Sequence, residues 1–255
     1  MALSVLLLIV DLPCHAQLEE SDTARWQFNG GLSLKLNTGN VDRMIITPEA
    51  NVAHVSKSKL WGFSARERYT FGTFGKYHTE NDLLLRNFIY FIPEKRVYPY
   101  VMAWFQTHER QRLLFRYQIG PGVTVVPLRR SGQIIKLSAT ATYEQNWYKE
   151  DSLVFLGDYT RKQYGTFRAT VRLFGSHWAV KKVLWLYYEV LFQQSLTNIN
   201  NWRIFAEGGV NAQLPKGFSM RTYVSYEYQQ VHVKSEKPND LILNVGVNYR
   251  ISSRR

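Results

Sequence analysis

Three features of the sequence predict an all-β fold: one transmembrane, antiparallel, up-and-down β-barrel of about 12 strands. From Trp26 onward, stretches of roughly ten residues alternate apolar and polar side chains, which puts odd members on one sheet face and even members on the other. Short clusters of Gly, Pro, Asn, Asp and Lys separate them, as turns between strands require. No apolar run beyond residue 16 reaches the roughly 20 residues that a membrane-spanning helix needs, whereas a barrel strand needs about 9–11 residues, every second one apolar. A hydrophobic content of 45% excludes a disordered chain.

Taken from the N-terminus, residues 1–16 read as a signal peptide. Leu3 to Val10 form its apolar core, Pro13 breaks it, and Cys14-His15-Ala16 make a cleavage site, so Gln17 is the expected mature start. Its one charged side chain is Asp11, and removing it raises the formal net charge from +12 to +13. The only cysteine leaves with it, so residues 17–255, one barrel domain, carry neither a disulfide nor a cysteine zinc site.

Stretch 26–37 leads through Thr38-Gly39-Asn40, a turn in which Gly and Asn accept positive φ, into 43–55. Stretches 60–71, 82–92 and 97–107 follow; if Arg66, Arg68 and Arg86 point inward, Glu67 and Asn87 face lipid. Stretch 113–126 contains Gly120-Pro121-Gly122, which lacks the GK[ST] end of a phosphate loop and marks a bend or close packing instead. In 133–146, Ile135, Leu137, Ala139, Ala141 and Tyr143 oppose Lys136, Ser138, Thr140, Thr142 and Glu144. In 164–174, Phe167, Ala169, Val171 and Leu173 oppose Arg168, Thr170 and Arg172. Stretches 183–195, 202–213 and 218–230 lead to 240–251, where Leu241, Leu243, Val245, Val247, Tyr249 and Ile251 oppose Asn244, Gly246, Asn248 and Arg250.

The connections add direction. With both termini in the periplasm, Ser56–Lys59, Pro93–Arg96, Pro127–Gly132, Gly175–Lys182 and Pro215–Gly217 form the short periplasmic turns, and Gly72–Asn81, Trp147–Gln163 and Val231–Asn239 the longer outer loops. Trp61, Tyr69, Phe71, Phe91, Tyr143, Trp202, Tyr226, Tyr228 and Tyr249 share the apolar face, several of them near strand ends, where interfacial aromatic girdles sit.

Gly31-Leu32-Ser33 with Thr38-Gly39-Asn40, then Arg116-Tyr117-Gln118-Ile119-Gly120-Pro121-Gly122, and finally Lys237-Pro238-Asn239-Asp240 running into Leu241 resemble a bacterial family described as salt-induced outer-membrane proteins, over about residues 28–251. The resemblance implies a Gram-negative outer-membrane barrel without established function, and it brings no catalytic residues. Such a barrel contacts outer-membrane lipid and lipopolysaccharide and is inserted by the barrel assembly machinery. The chain departs from the usual aromatic barrel terminus: Ile251 holds that phase and Ser252–Arg255 follow.

The chemistry then lies on the polar face. Lys35, Arg66, Arg68, Arg86, Arg116, Lys136, Arg168, Arg172, Arg203, Arg221 and Arg250 point inward with Glu49, Glu144, Glu189, Glu207 and Glu227, an expected charge network with a basic surplus. Either these charges pair and fill a narrow lumen, or surplus arginines line an anion-preferring pore. The arginines are spread along strands rather than clustered beside exposed aromatics, so nucleic acid is not an expected partner. His54, His78, His108, His177 and His232 show no metal-ligand spacing, and no cofactor is expected. His54-Val55-Ser56 reproduces the base–nucleophile spacing of an outer-membrane phospholipase, a lipid hydrolase. It lies at the periplasmic end, however, and Lys57-Ser58 replaces the Asn-Gly expected after the serine. A further alternative is a soluble β-protein whose apolar faces line an internal ligand cavity.

Overall fold

A computed structural model of the chain describes residues 25–37, 42–149, 153–154 and 162–253. The expected signal peptide, the mature start at Gln17 and the Thr38-Gly39-Asn40 turn lie outside the described residues. The strands are β1 (Trp26–Asn37), β2 (Arg43–Val55), β3 (Trp61–Phe74), β4 (Tyr77–Phe91), β5 (Val97–His108), β6 (Leu113–Arg130), β7 (Gln133–Tyr148), β8 (Leu153–Val154), β9 (Gln163–Val180), β10 (Leu184–Ser195), β11 (Trp202–Gln213), β12 (Phe218–Gln229), β13 (His232–Val233) and β14 (Asn239–Ser253). All except β8 and β13 join antiparallel neighbours in one sheet that closes where β1 pairs with β14, Trp26 opposite Ser253 and Leu32 opposite Val247. This is the 12-stranded barrel that the alternation predicts. Closure leaves no free sheet edge, as a bilayer demands of β-structure.

The facing follows the period-two pattern. Leu32, Phe167, Val171, Leu241, Leu243 and Val247 are exposed on the outside, while Glu144, Arg168, Gln118 and Arg116 are almost fully buried inside. On the strands with clear alternation the polar side is therefore the lumen, and the apolar side forms the lipid-facing belt. A soluble β-protein with an apolar cavity would have the opposite facing. Glu67 is exposed on the outside of β3 beside its register partners Ala50 and Leu85, and Asn87 faces outward between Ala65 and Ala103.

Several strands run further than the breakers suggest. Gly72–Asn81 is not a loop: β3 and β4 continue to a two-residue turn at Gly75-Lys76, with Gly75 at φ +57°. Gly72 ends no strand; it sits at a register irregularity, where a Cβ would fall 1.9 Å from Oε2 of Glu80. The missing side chain makes room for that carboxylate. Pro127 likewise lies within β6, at an irregularity between Val125 and Leu128, where a strand tolerates a missing amide proton. β9 continues past Gly175 to Val180, leaving 181–183 as the turn. Gly120 lies inside continuous β6, where a Cβ would stand 2.0 Å from the Ala141 carbonyl oxygen, so close packing is the reason for the glycine.

At the end away from the termini, β8 and β13 pair, His232 with Val154 and Val233 with Leu153. Val233 is fully buried with Leu113 and Tyr148, and Leu153 and Tyr164 pack against them. Through β8 and β13 the two connections thus meet at this end of the barrel and form an apolar cap with Leu113, Tyr148 and Tyr164.

Candidate functional site: the charged lumen

Alternation brings the expected arginines and glutamates to the inside, and most of them gather into three groups. In the first, Arg68 and Arg221 each bridge the same two acids. Arg68 donates to Glu49 at 2.9 Å and Glu207 at 3.1 Å; Arg221 donates to Glu49 at 2.7 Å and Glu207 at 3.0 Å. Two positive and two negative charges close into a balanced square. Tyr187 donates to Glu207 at 3.1 Å and Tyr223 to Glu49 at 3.0 Å, while the guanidinium of Arg221 lies 4.4 Å from the Tyr223 ring centre. Asn244 extends the group by donating to the Tyr223 hydroxyl at 2.9 Å.

The second group surrounds Glu189. Arg172 donates to it, Arg86 reaches it at 3.4 Å and Arg66 at 3.5 Å. Arg66 and Arg86 are direct cross-strand partners, an unfavourable like-charge pairing that the shared carboxylate offsets. Arg86 is wedged between aromatic faces, 4.2 Å from the Trp104 ring centre and 4.7 Å from that of Phe205.

Glu144 centres the third group and is wholly buried. Arg168 donates to it at 2.9 Å and Asn146 at 2.8 Å, and Arg203 and Gln118 also donate to it. Arg116 is held by neutral acceptors: Asn146, Gln229 at 2.8 Å, Gln106 at 3.3 Å and the Tyr148 hydroxyl at 3.3 Å. The Tyr148 contact ties the lumen to the cap. Glu227 accepts from Gln229 at 2.6 Å rather than from an arginine, Arg250 donates to Gln27 at 3.1 Å, and Lys35 is exposed towards the end of β1.

These bonds cross the barrel. Arg66 on β3 meets Glu189 on β10, Arg68 on β3 meets Glu207 on β11, and Arg116 on β6 meets Gln229 on β12. Aromatic and aliphatic side chains fill the space beside them: Tyr90, Tyr98, Tyr100, Met102, Trp104, Phe174 and Leu191 form an internal cluster. Two lumen cavities measure about 100 Å³ and 40 Å³. The sequence reading missed this aromatic filling because β5 is apolar on both faces. The available signal was phase: Tyr98, Tyr100 and Trp104 share the inward register that Arg86 sets on β4.

The other chemical candidates separate. His54 packs on the outer face, its ring 4.1 Å from Trp26 and 5.4 Å from Trp61, and its Nδ1 donates to the Arg25 carbonyl at 3.0 Å. Ser56 is 3.2 Å from the Ser58 hydroxyl and accepts from the Trp61 amide at 3.3 Å. The structure thus gives imidazole and hydroxyl different partners and no shared proton path. Among the described residues, no three His, Cys, Asp or Glu side chains are grouped so as to hold a metal ion. The described residues thus form a closed 12-stranded barrel with a charged, packed lumen and an apolar outer belt.

Among solved structures, the NanC porin is similar in fold, with a TM-score of 0.54 at 8% identity over 88% of this chain and 100% of the porin. The COG4313 outer membrane channel from Pseudomonas putida F1 gives 0.50 at 10% identity, over 96% of this chain and 100% of the channel. No curated protein matches the chain. At these identities the likeness concerns the fold alone. A family model described as "Protein of unknown function, DUF481" matches residues 30–251, nearly the whole of the barrel, and the chain belongs to that family.

Proposed function

We propose that the protein is a closed structural barrel of the outer membrane whose lumen is sealed by its own ion pairs. The carrying observation is that ion-paired charges from opposite walls meet in the centre, with Arg66 to Glu189 and Arg68 to Glu207 as the spanning pairs. Buried charges of this kind are stable only when paired and hydrogen-bonded, so opening a path would break contacts that each stabilise the barrel. Purified protein in a planar bilayer should give no steady conductance. The basic surplus supports a second reading, an anion-preferring pore. That reading predicts steady current favouring chloride over potassium, reduced by Arg168→Ser with Arg172→Ser and by added salt, which shortens the Debye length. A cation-selective pore would contradict both.

The proposal includes export by the leader 1–16, supported by its apolar core and small-residue end; N-terminal sequencing of the membrane protein should begin at Gln17. Lipopolysaccharide around the belt and insertion by the barrel assembly machinery follow from that placement. The narrower family, the salt-induced outer-membrane proteins, is supported by the sequence motifs at Gly31–Ser33, Arg116–Gly122 and Lys237–Asp240. It predicts that protein abundance rises when salt is added to the medium; unchanged abundance would leave only the broader family.

A further inference from the structure

The end of the barrel that holds the termini carries charge of almost one sign. Its five turns span 56–60, 92–96, 129–132, 181–183 and 214–217, counting the last two residues of β6 with the third. Each of the first four contains two Lys or Arg residues and the fifth contains one, so nine basic side chains ring this rim, and all nine are exposed. Glu94, which meets Lys59 at 2.9 Å, is the only acid in these turns. By sequence, 17–25 and 254–255 carry three acids, Glu19, Glu20 and Asp22, and three arginines, which leaves the surplus unchanged. At the opposite end charges of both signs pair: Arg110 with Asp240 at 3.0 Å, Arg112 with Glu236 at 3.4 Å and Lys149 with Glu109 at 2.5 Å. Turn geometry does not account for the lysines. Lys59, Lys182 and Lys216 adopt φ of 59°, 63° and 60°, the left-handed region in which Gly or Asn is less strained. Their position sets what they face. Exposed apolar side chains of the outer belt run up to the turns, with Leu60 and Trp61 after Lys59, Val180 and Val183 on either side of Lys181 and Lys182, and Leu214 and Phe218 around Lys216. A cation on a flexible stem just beyond a lipid-facing belt lies at the level of lipid headgroups. A ring spread over all five turns fits a surrounding leaflet better than one compact partner.

We propose that this rim binds the phosphate headgroups of anionic phospholipids in the periplasmic leaflet and selects them over zwitterionic lipids. The inference rests on the outer-membrane placement proposed above and goes beyond it in naming the lipid class and the turns that recognise it. The test is tryptophan quenching with the full barrel in phosphatidylcholine vesicles, adding brominated phosphatidylglycerol or brominated phosphatidylcholine at equal mole fraction. Trp26 and Trp61, exposed on the outer face at this end, report on the lipids beside it. The glycerol lipid should bind in preference by about twofold or more, since one basic side chain near an anionic surface is worth up to about fivefold. Raising the salt should bring the ratio towards one, a measurement that needs no variant. Lys57→Gln with Lys95→Gln and Lys181→Gln should at least halve the preference. Lys76→Gln with Lys234→Gln and Lys237→Gln, which remove the same charge from the opposite end, should leave it unchanged. Equal quenching by both lipids in the inserted wild-type barrel would overturn this proposal alone, with the turns then facing water or an acidic protein. A salt-independent preference, or an equal loss in both triple variants, would overturn it as well. Failure of the wild type to insert into either vesicle would contradict the membrane placement and this proposal with it.

Discussion

Glu144 shows how a single lumen residue can carry stability. It is wholly buried, and its two oxygens serve Arg168, Arg203, Asn146 and Gln118. Glu144→Gln keeps the shape but leaves two buried guanidinium groups facing one amide. Breaking a buried pair from one side costs about 3–5 kcal/mol, because the remaining charge stays desolvated. The variant should convert from the compact to the unfolded gel band at a clearly lower temperature than wild type; an unchanged midpoint would show that water or neutral neighbours already carry those arginines. That Glu144 points inward was legible from its position among Lys136, Ser138, Thr140 and Thr142. Its partners were not, because alternation says which face a residue occupies and nothing about which wall lies across. Arg68 and Glu207 are 139 residues apart, and only barrel closure brings them together.

Strands report their facing through substitutions one position apart. On β14, Val247 and Leu243 are exposed on the lipid side, and Asn244 points inward to the Tyr223 hydroxyl. Val247→Arg or Leu243→Arg should impair insertion, since a guanidinium facing lipid near the midplane costs about 2–4 kcal/mol, whereas Asn244→Arg should be tolerated better. Greater damage from Asn244→Arg, read as yield in the membrane fraction, would mean that inside and outside are exchanged. On β3 the same logic runs in reverse. Glu67 is a mid-strand charge on the outer face between Ala50 and Leu85, so Glu67→Leu should raise the unfolding midpoint. A lower midpoint would show that the carboxylate has a stabilising partner in the membrane. Strand existence was readable throughout, but strand ends were not: Gly72, Pro127 and Gly175 read as breakers, yet each sits inside a strand at a bulge or a close contact. Local sequence marks where backbone is unusual, and the neighbouring strand decides whether that means a turn.

At the scale of the molecule, alternation along 12 strands produces two surfaces with opposite chemistry, and closure turns one into a lumen and the other into a belt. Exposed Phe, Leu, Val, Trp and Tyr side chains cover the outside, from Trp26 on β1 to Ile251 on β14. In water such a belt would aggregate; in a bilayer it is the solvated surface. The polar interior and the cap formed by β8 and β13 are then the parts on which permeability depends, through how well the crossing ion pairs hold. All of this rests on the belt lying in lipid. Outer-membrane fractionation, followed by gel electrophoresis of unheated and heated samples, tests that placement most directly. The account predicts a protein in the outer-membrane fraction that needs detergent for extraction and migrates as a compact band until heated. A protein that stays soluble in water without detergent would contradict it.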